Sequence, residues 1–106
     1  MSGVLLTDAN FEEEVLNSET PVLVDFFAAW CGPCRLQGPI VEELAGEIGD
    51  KAKIGKLDVD ASPQTAQKYG IMSIPTIMIF KSGEPVQTLI GLQTKEGLSD
   101  EINKVI

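Results

Sequence analysis

The sequence predicts an α/β fold, a central mixed β-sheet of five strands with four helices on both faces. Three observations carry that prediction. Strand-like and helix-like segments alternate over residues 4–70, the order that builds parallel crossovers of right-handed sense. The run Val22–Phe27 is apolar on successive residues, which suits a central strand covered on both sides. The last third reads as a hairpin followed by one amphipathic helix. At 106 residues the chain makes one domain, residues 1–106, with room for a single core.

Val4-Leu5-Leu6 reads as the first strand. Thr7 or Asp8 caps a helix running to Leu16, with Phe11 and Val15 on its inner face and Glu12, Glu13 and Glu14 in solvent. A polar turn at 17–21 leads into Val22–Phe27, and one residue breaks that apolar run. This is Asp25, whose carboxylate in a covered strand is costly unless it is paired or neutral. The helix that follows carries Ile40, Val41, Leu44, Ala45 and Ile48 as an apolar stripe, and Pro39 within it predicts a kink. Residues 53–59 form the third strand. Ser62 caps and Pro63 opens a short helix that Gly70 ends, with Tyr69 as packing.

Ile74-Pro75-Thr76 leads into Ile77-Met78-Ile79-Phe80, with proline tolerated at a strand's start. Lys81-Ser82-Gly83-Glu84 turns the chain into the returning arm 85–90, where Pro85 suits an edge strand and Gly91 a turn. Thr94 caps a last helix with Leu98, Ile102, Val105 and Ile106 on one face. The expected core is Phe11, Val22, Val24, Phe26, Leu44, Ile48, Leu57, Ile77, Ile79 and Leu98.

Composition narrows the partners. A net charge of −8 disfavours nucleic acid and anionic membrane surfaces. No apolar run approaches the roughly 20 residues that span a bilayer. Met1-Ser2-Gly3 has neither the basic start nor the apolar segment of a secretion signal, so a reducing cytoplasm is the expected location.

The chemistry centres on Trp30-Cys31-Gly32-Pro33-Cys34, which holds the chain's two cysteines. Positions three apart on a helix have β-carbons about 5–6 Å apart, close to what a disulfide tolerates. As a cross-link so short a loop contributes roughly 2 kcal/mol, so the bond suits being made and broken better than holding a fold. Cys31 falls at the amino end of a helix, where free N–H groups and the helix dipole favour a thiolate. Gly32 lets a partner backbone approach, and Pro33 is tolerated in a first turn. Cys34, a turn further in, is expected to be more shielded. Cys31 therefore attacks and Cys34 resolves.

Other readings compete at this point. The cysteines could contribute half of a zinc site shared by two chains, because this chain has no His and no third Cys. They could be a static disulfide or two inert buried thiols. Asp25 could serve as proton acceptor and donor for Cys34, or simply bond to backbone or to a lysine. Arg35, the lone arginine, either adds positive potential near the sulfurs or is solvated, and Lys56 by default is solvated.

Taken with Asp25-Phe26 before it and Ile74-Pro75-Thr76 after it, the cysteine motif resembles the thioredoxin family, in order and spacing over nearly the whole chain. The resemblance implies a thioredoxin fold and a protein-disulfide oxidoreductase in which Cys31 and Cys34 exchange with disulfides of client proteins. It implies that Asp25 handles the Cys34 proton, that Lys56 pairs with Asp25, and that Pro75 is cis and lies against the sulfurs, keeping a metal-binding side chain away. It leaves the Ile74 backbone open to strand addition by a client, and it sets Gly91 beside the site, where a side chain would obstruct the partner. Trp30, Gly32, Pro33, Val59, Ile74 and Gly91 would form an apolar contact surface. The implied partners are disulfide-containing proteins and a thioredoxin reductase that recycles the pair, with no cofactor, no metal and a monomeric chain.

Some positions depart from the family's habit. Phe27 stands where a second tryptophan is common, Gly38 where alanine often precedes the helix proline, and Met72-Ser73 replace the usual residues before Ile74. Two further uses of the same fold stay open. One is an oxidase or isomerase, opposed by Gly-Pro between the cysteines and by the expected location. The other is a binding module whose thiols are incidental.

Overall fold

The computed structural model describes residues 3–106. Its five strands are β1 (Val4–Leu6), β2 (Val22–Phe27), β3 (Lys53–Asp58), β4 (Thr76–Lys81) and β5 (Glu84–Ile90), arranged in one sheet in the order β1-β3-β2-β4-β5. β3 runs parallel to both β1 and β2, while β4 is antiparallel to β2 and to β5. The apolar run of β2 earns the central place expected of it, although it is parallel to its neighbour on one side only.

Alternation along β2 feeds two cores. Leu23 faces α1 (Gly32–Ile48) and α3 (Lys95–Asn103), packing with Val41, Leu44, Ile48, Leu98 and Ile102. Val22, Val24 and Phe26 face the other way, onto Leu6, Phe11, Val15, Leu57 and Phe80. There the rings of Phe11, Tyr69 and Phe80 stack at tilted and edge-on angles with centroids 5.1–5.7 Å apart. All ten residues expected in the core are buried, and Leu6, Leu23, Phe80 and Ile102 join them. α1 continues through Pro39 as a single helix.

The segment after β1 differs from the expected helix. Thr7 and Asn10 bond to each other reciprocally, Asn10 N–H to Thr7 Oγ1 (3.2 Å) and Thr7 N–H to Asn10 Oδ1 (2.7 Å). That closure makes turns of residues 8–10, and a π-helical turn at Glu12–Leu16 follows. Asp8 caps a different helix. Its carboxylate accepts from Gln64 N–H (3.2 Å), Thr65 N–H (2.8 Å) and Thr65 Oγ1 (2.7 Å) at the start of α2 (Pro63–Lys68). Ser62, expected to cap α2, instead accepts the Asp8 N–H at 3.1 Å. A carboxylate satisfies two backbone donors at once, which one hydroxyl does not.

The β4–β5 hairpin turns on Ser82 (φ 53°) and Gly83 (φ 80°), the left-handed pair that matches strand twist in a two-residue connection. A β-carbon at Gly83 would stand 3.0 Å from the Leu16 carbonyl oxygen, so the turn also needs glycine for close approach. The carboxyl ends of β2, β3 and β5 and the amino end of β4 meet at one rim of the sheet, and the cysteine motif opens α1 at that rim.

Candidate active site

Cys31 is the N-cap of α1, in extended conformation, and its Sγ accepts the Cys34 N–H at 3.2 Å. The two cysteines form a disulfide with Cα atoms 5.2 Å apart. Both residues are 5% exposed, so the expected difference in shielding is absent. Their surroundings differ instead. The Ile74 carbonyl oxygen lies 3.8 Å from Cys31 Sγ, whereas Cys34 lines a cavity shared with Asp25.

Asp25 is 1% exposed, and its Oδ1 is the one buried side-chain polar atom without a hydrogen-bond partner among the described residues. Burial pushes its carboxyl up from the ordinary 3.8 to about 7, against the opposing pull of the Lys56 ammonium. The shared cavity, about 170 Å³, is bounded by Asp25, Cys34, Arg35, Gly38 and Lys56 among others and has room for water. Asp25 and Lys56 are register neighbours on β2 and β3. The ion-pair partner of Lys56, however, is Glu42 on α1, at 3.9 Å, whose other oxygen accepts the Gly3 N–H at 3.0 Å. A half-exposed ammonium gains more from a solvated carboxylate than from one that burial holds partly neutral. Arg35 donates from Nε (3.3 Å) and Nη2 (3.2 Å) to the Ala29 carbonyl, bracing the loop before Cys31.

Among the residues expected at the contact surface, Val59 and Ile74 lie against the cysteine pair and Gly91 is bonded to Pro75. The Ile74–Pro75 bond is cis, and Gly91 N–H donates to the Pro75 carbonyl at 2.9 Å. Gly91 has φ 91°, so its backbone conformation itself calls for glycine, and a β-carbon there would meet nothing of this chain within 4 Å. Val59 and Ile74 pack on Ala28 and the two cysteines. Gly32 and Pro33 are exposed on the first turn of α1. Trp30 is 69% exposed, with its Nε1–H held by Asp60 Oδ2 at 2.8 Å.

The family model for thioredoxin matches residues 2–104. The chain is 54% identical over 101 residues to a thioredoxin of Rickettsia prowazekii, covering 95% of this chain and 96% of that one. It is 51% identical over 106 residues to a thioredoxin of Pyropia yezoensis (100% and 99% covered) and 52% identical over 101 residues to one of Alicyclobacillus acidocaldarius (95% of each). The chain belongs to the thioredoxin family. Its Cys31–Cys34 pair is accordingly a redox-active centre, and the chain is a protein-disulfide oxidoreductase working by dithiol–disulfide exchange. Members of the thioredoxin family act on disulfide substrates and are recycled by thioredoxin reductase. No helix of the described residues is long and apolar enough to cross a membrane.

Within this thioredoxin site, three residues escaped the reading of the sequence. Asp60 reaches Trp30 across 30 residues of chain, and nothing local announces it. Glu42 takes Lys56 for the same reason. Gln37 had a signal: it occupies the inward register of α1 between Cys34 and Val41, where a polar side chain is costly unless it is bonded.

Proposed function

We propose that this thioredoxin-family chain reduces disulfides of client proteins with Cys31 as attacking thiolate, Cys34 as resolving thiol and Asp25 as the group that takes and returns the Cys34 proton. Cys31 Sγ attacks one client sulfur, the client S–S bond breaks, and a client thiolate leaves. Cys34 gives its proton to Asp25, attacks Cys31 Sγ and expels the second client thiolate, leaving the Cys31–Cys34 disulfide. Two electrons from a thioredoxin reductase restore the dithiol. The Cys34 N–H and the amino end of α1 stabilise negative charge on Cys31 Sγ. The observation that carries this reading is the cavity joining Cys34 to an uncompensated buried carboxyl whose pKa of about 7 suits both directions of proton transfer near neutral pH.

Lys56 acts at the rim of that cavity as a positive charge that limits how far the Asp25 carboxyl rises. Trp30, Gly32, Pro33, Val59, Ile74, Pro75 and Gly91 form the client-binding surface, with the Ile74 backbone open to an extended segment. The chain works as a single-domain monomer, residues 1–106, in the cytoplasm, needing neither metal nor cofactor of its own and binding neither nucleic acid nor membrane.

Cys34→Ser tests the order of attack. The variant is expected to trap clients as mixed disulfides through Cys31, visible on non-reducing gels and released by dithiothreitol. Recovery of no adduct, or of adducts through the other sulfur in Cys31→Ser, overturns the assignment.

A further inference from the structure

Gln37 is fully buried, the only amide side chain so placed among the described residues. It lies one turn beyond Cys34, and its amide pairs with the Gln93 backbone in both directions. Gln93 N–H donates to Gln37 Oε1 (2.8 Å), and Gln37 Nε2 donates to the Gln93 carbonyl (3.1 Å). Gln93 in turn sends its own Nε2 to the carbonyls of Ile90 (3.3 Å) and Gly91 (3.2 Å), and Gly91 N–H donates to the Pro75 carbonyl (2.9 Å). One hydrogen-bonded chain thus runs from the active-site helix, through the connection between β5 and α3, to the cis-proline segment. For packing alone, an apolar side chain would serve this register, as Val41 and Leu44 do one and two turns later. An amide is required only because residues 91–93 have left the sheet and not yet entered α3, so their backbone groups need partners elsewhere.

We infer that Gln37 is a positioning residue that fixes Gly91 and the exposed side chains of Ile90 and Leu92 relative to Cys31, and thereby sets the rate with protein disulfides but not with small ones. A protein client touches both the sulfur and the Gly91 rim, so a displaced rim costs alignment. A small disulfide meets Cys31 alone. This rests on the reading of the surface from Trp30 to Gly91 as the client-binding face.

The test compares wild type, Gln37→Leu and Gln93→Ala, each reduced beforehand and freed of dithiothreitol, in single turnover on insulin and on dithiobis-nitrobenzoate, with the potential of the cysteine pair measured against glutathione. Gln37→Leu is expected to lose about tenfold in the second-order rate constant with insulin, while its rate with the aromatic disulfide stays within about twofold and its potential is unchanged. Gln93→Ala keeps the backbone pairing with Gln37 but loses the bonds to Ile90 and Gly91, and is expected to lose about threefold with insulin only. Equal losses on both substrates, or no loss with insulin, overturn the inference. Should Gln37→Leu fail to fold, Gln93→Ala decides alone, and an undiminished insulin rate there overturns it. A wild type that reduces the aromatic disulfide but not insulin defeats the client-binding reading and the inference with it, before any variant is compared.

Discussion

Asp8 accepts three hydrogen bonds at the start of α2, whereas Asp25, in the middle of β2, has an oxygen with no partner at all. Desolvation pushes both carboxyls up. At Asp8 the bonds from Thr65 and Gln64 outweigh it and hold the group below its ordinary value, while at Asp25 nothing but the Lys56 charge opposes it and the group rises to about 7. The same side chain is thus held ionised by its bonds in one place and pushed toward its neutral form by burial in the other. On the proposed mechanism, the carboxyl left unsatisfied is the one that carries the transferable proton.

The largest way to break this contrast is Asp25→Asn. Between pH 3.8 and about 7 the folded state holds a proton on Asp25 that the unfolded chain has released, so stability falls as pH rises across that window. Above it the buried charge costs on the order of 4 kcal/mol. Urea titration at pH 8 is expected to find the asparagine variant more stable by up to about that much, with a flatter pH dependence, while its turnover of protein disulfides falls about tenfold. Unchanged stability at pH 8 would mean that the carboxylate is solvated.

Asp8→Ala is expected to act with the opposite sign. The loss of three bonds at the α2 terminus lowers Tm by several degrees at neutral pH, with turnover preserved. Because the folded-state pKa of Asp8 is depressed, its contribution is present above the ordinary value and vanishes as pH falls through the folded value, so wild type and variant should converge in acid. A Tm gap that persists there would assign the effect to packing instead.

The smallest effect expected is that of Gly38→Ala. A β-carbon at this helical position, on the edge of the Asp25 cavity, meets nothing within 4 Å. Thermal or urea denaturation should register a gain of about 1 kcal/mol from helix propensity. A loss would show that the cavity has less room than its lining implies.

What the sequence disclosed, and what it withheld, follows the range of the interaction. The β2 run, the α1 stripe and the cysteine pair are legible because period and spacing act within one element, and the ten core residues followed from them. Asp25 could be singled out because a charge inside an apolar run contradicts its own neighbourhood. Partner choice was not legible. Asp8 capping a helix 56 residues away, Lys56 turning to Glu42, and Asp60 holding Trp30 are all decided by which groups the finished fold brings together. The π-helical turn at Glu12–Leu16 likewise reflects a local contest in which the Thr7–Asn10 pairing supplanted the first turn of a longer helix.

Both sulfurs of the oxidised pair are almost entirely covered, even though they open a helix at the rim of the sheet. A small thiol therefore finds little sulfur to strike, so the cover works against re-reduction of the pair by the bulk thiol pool.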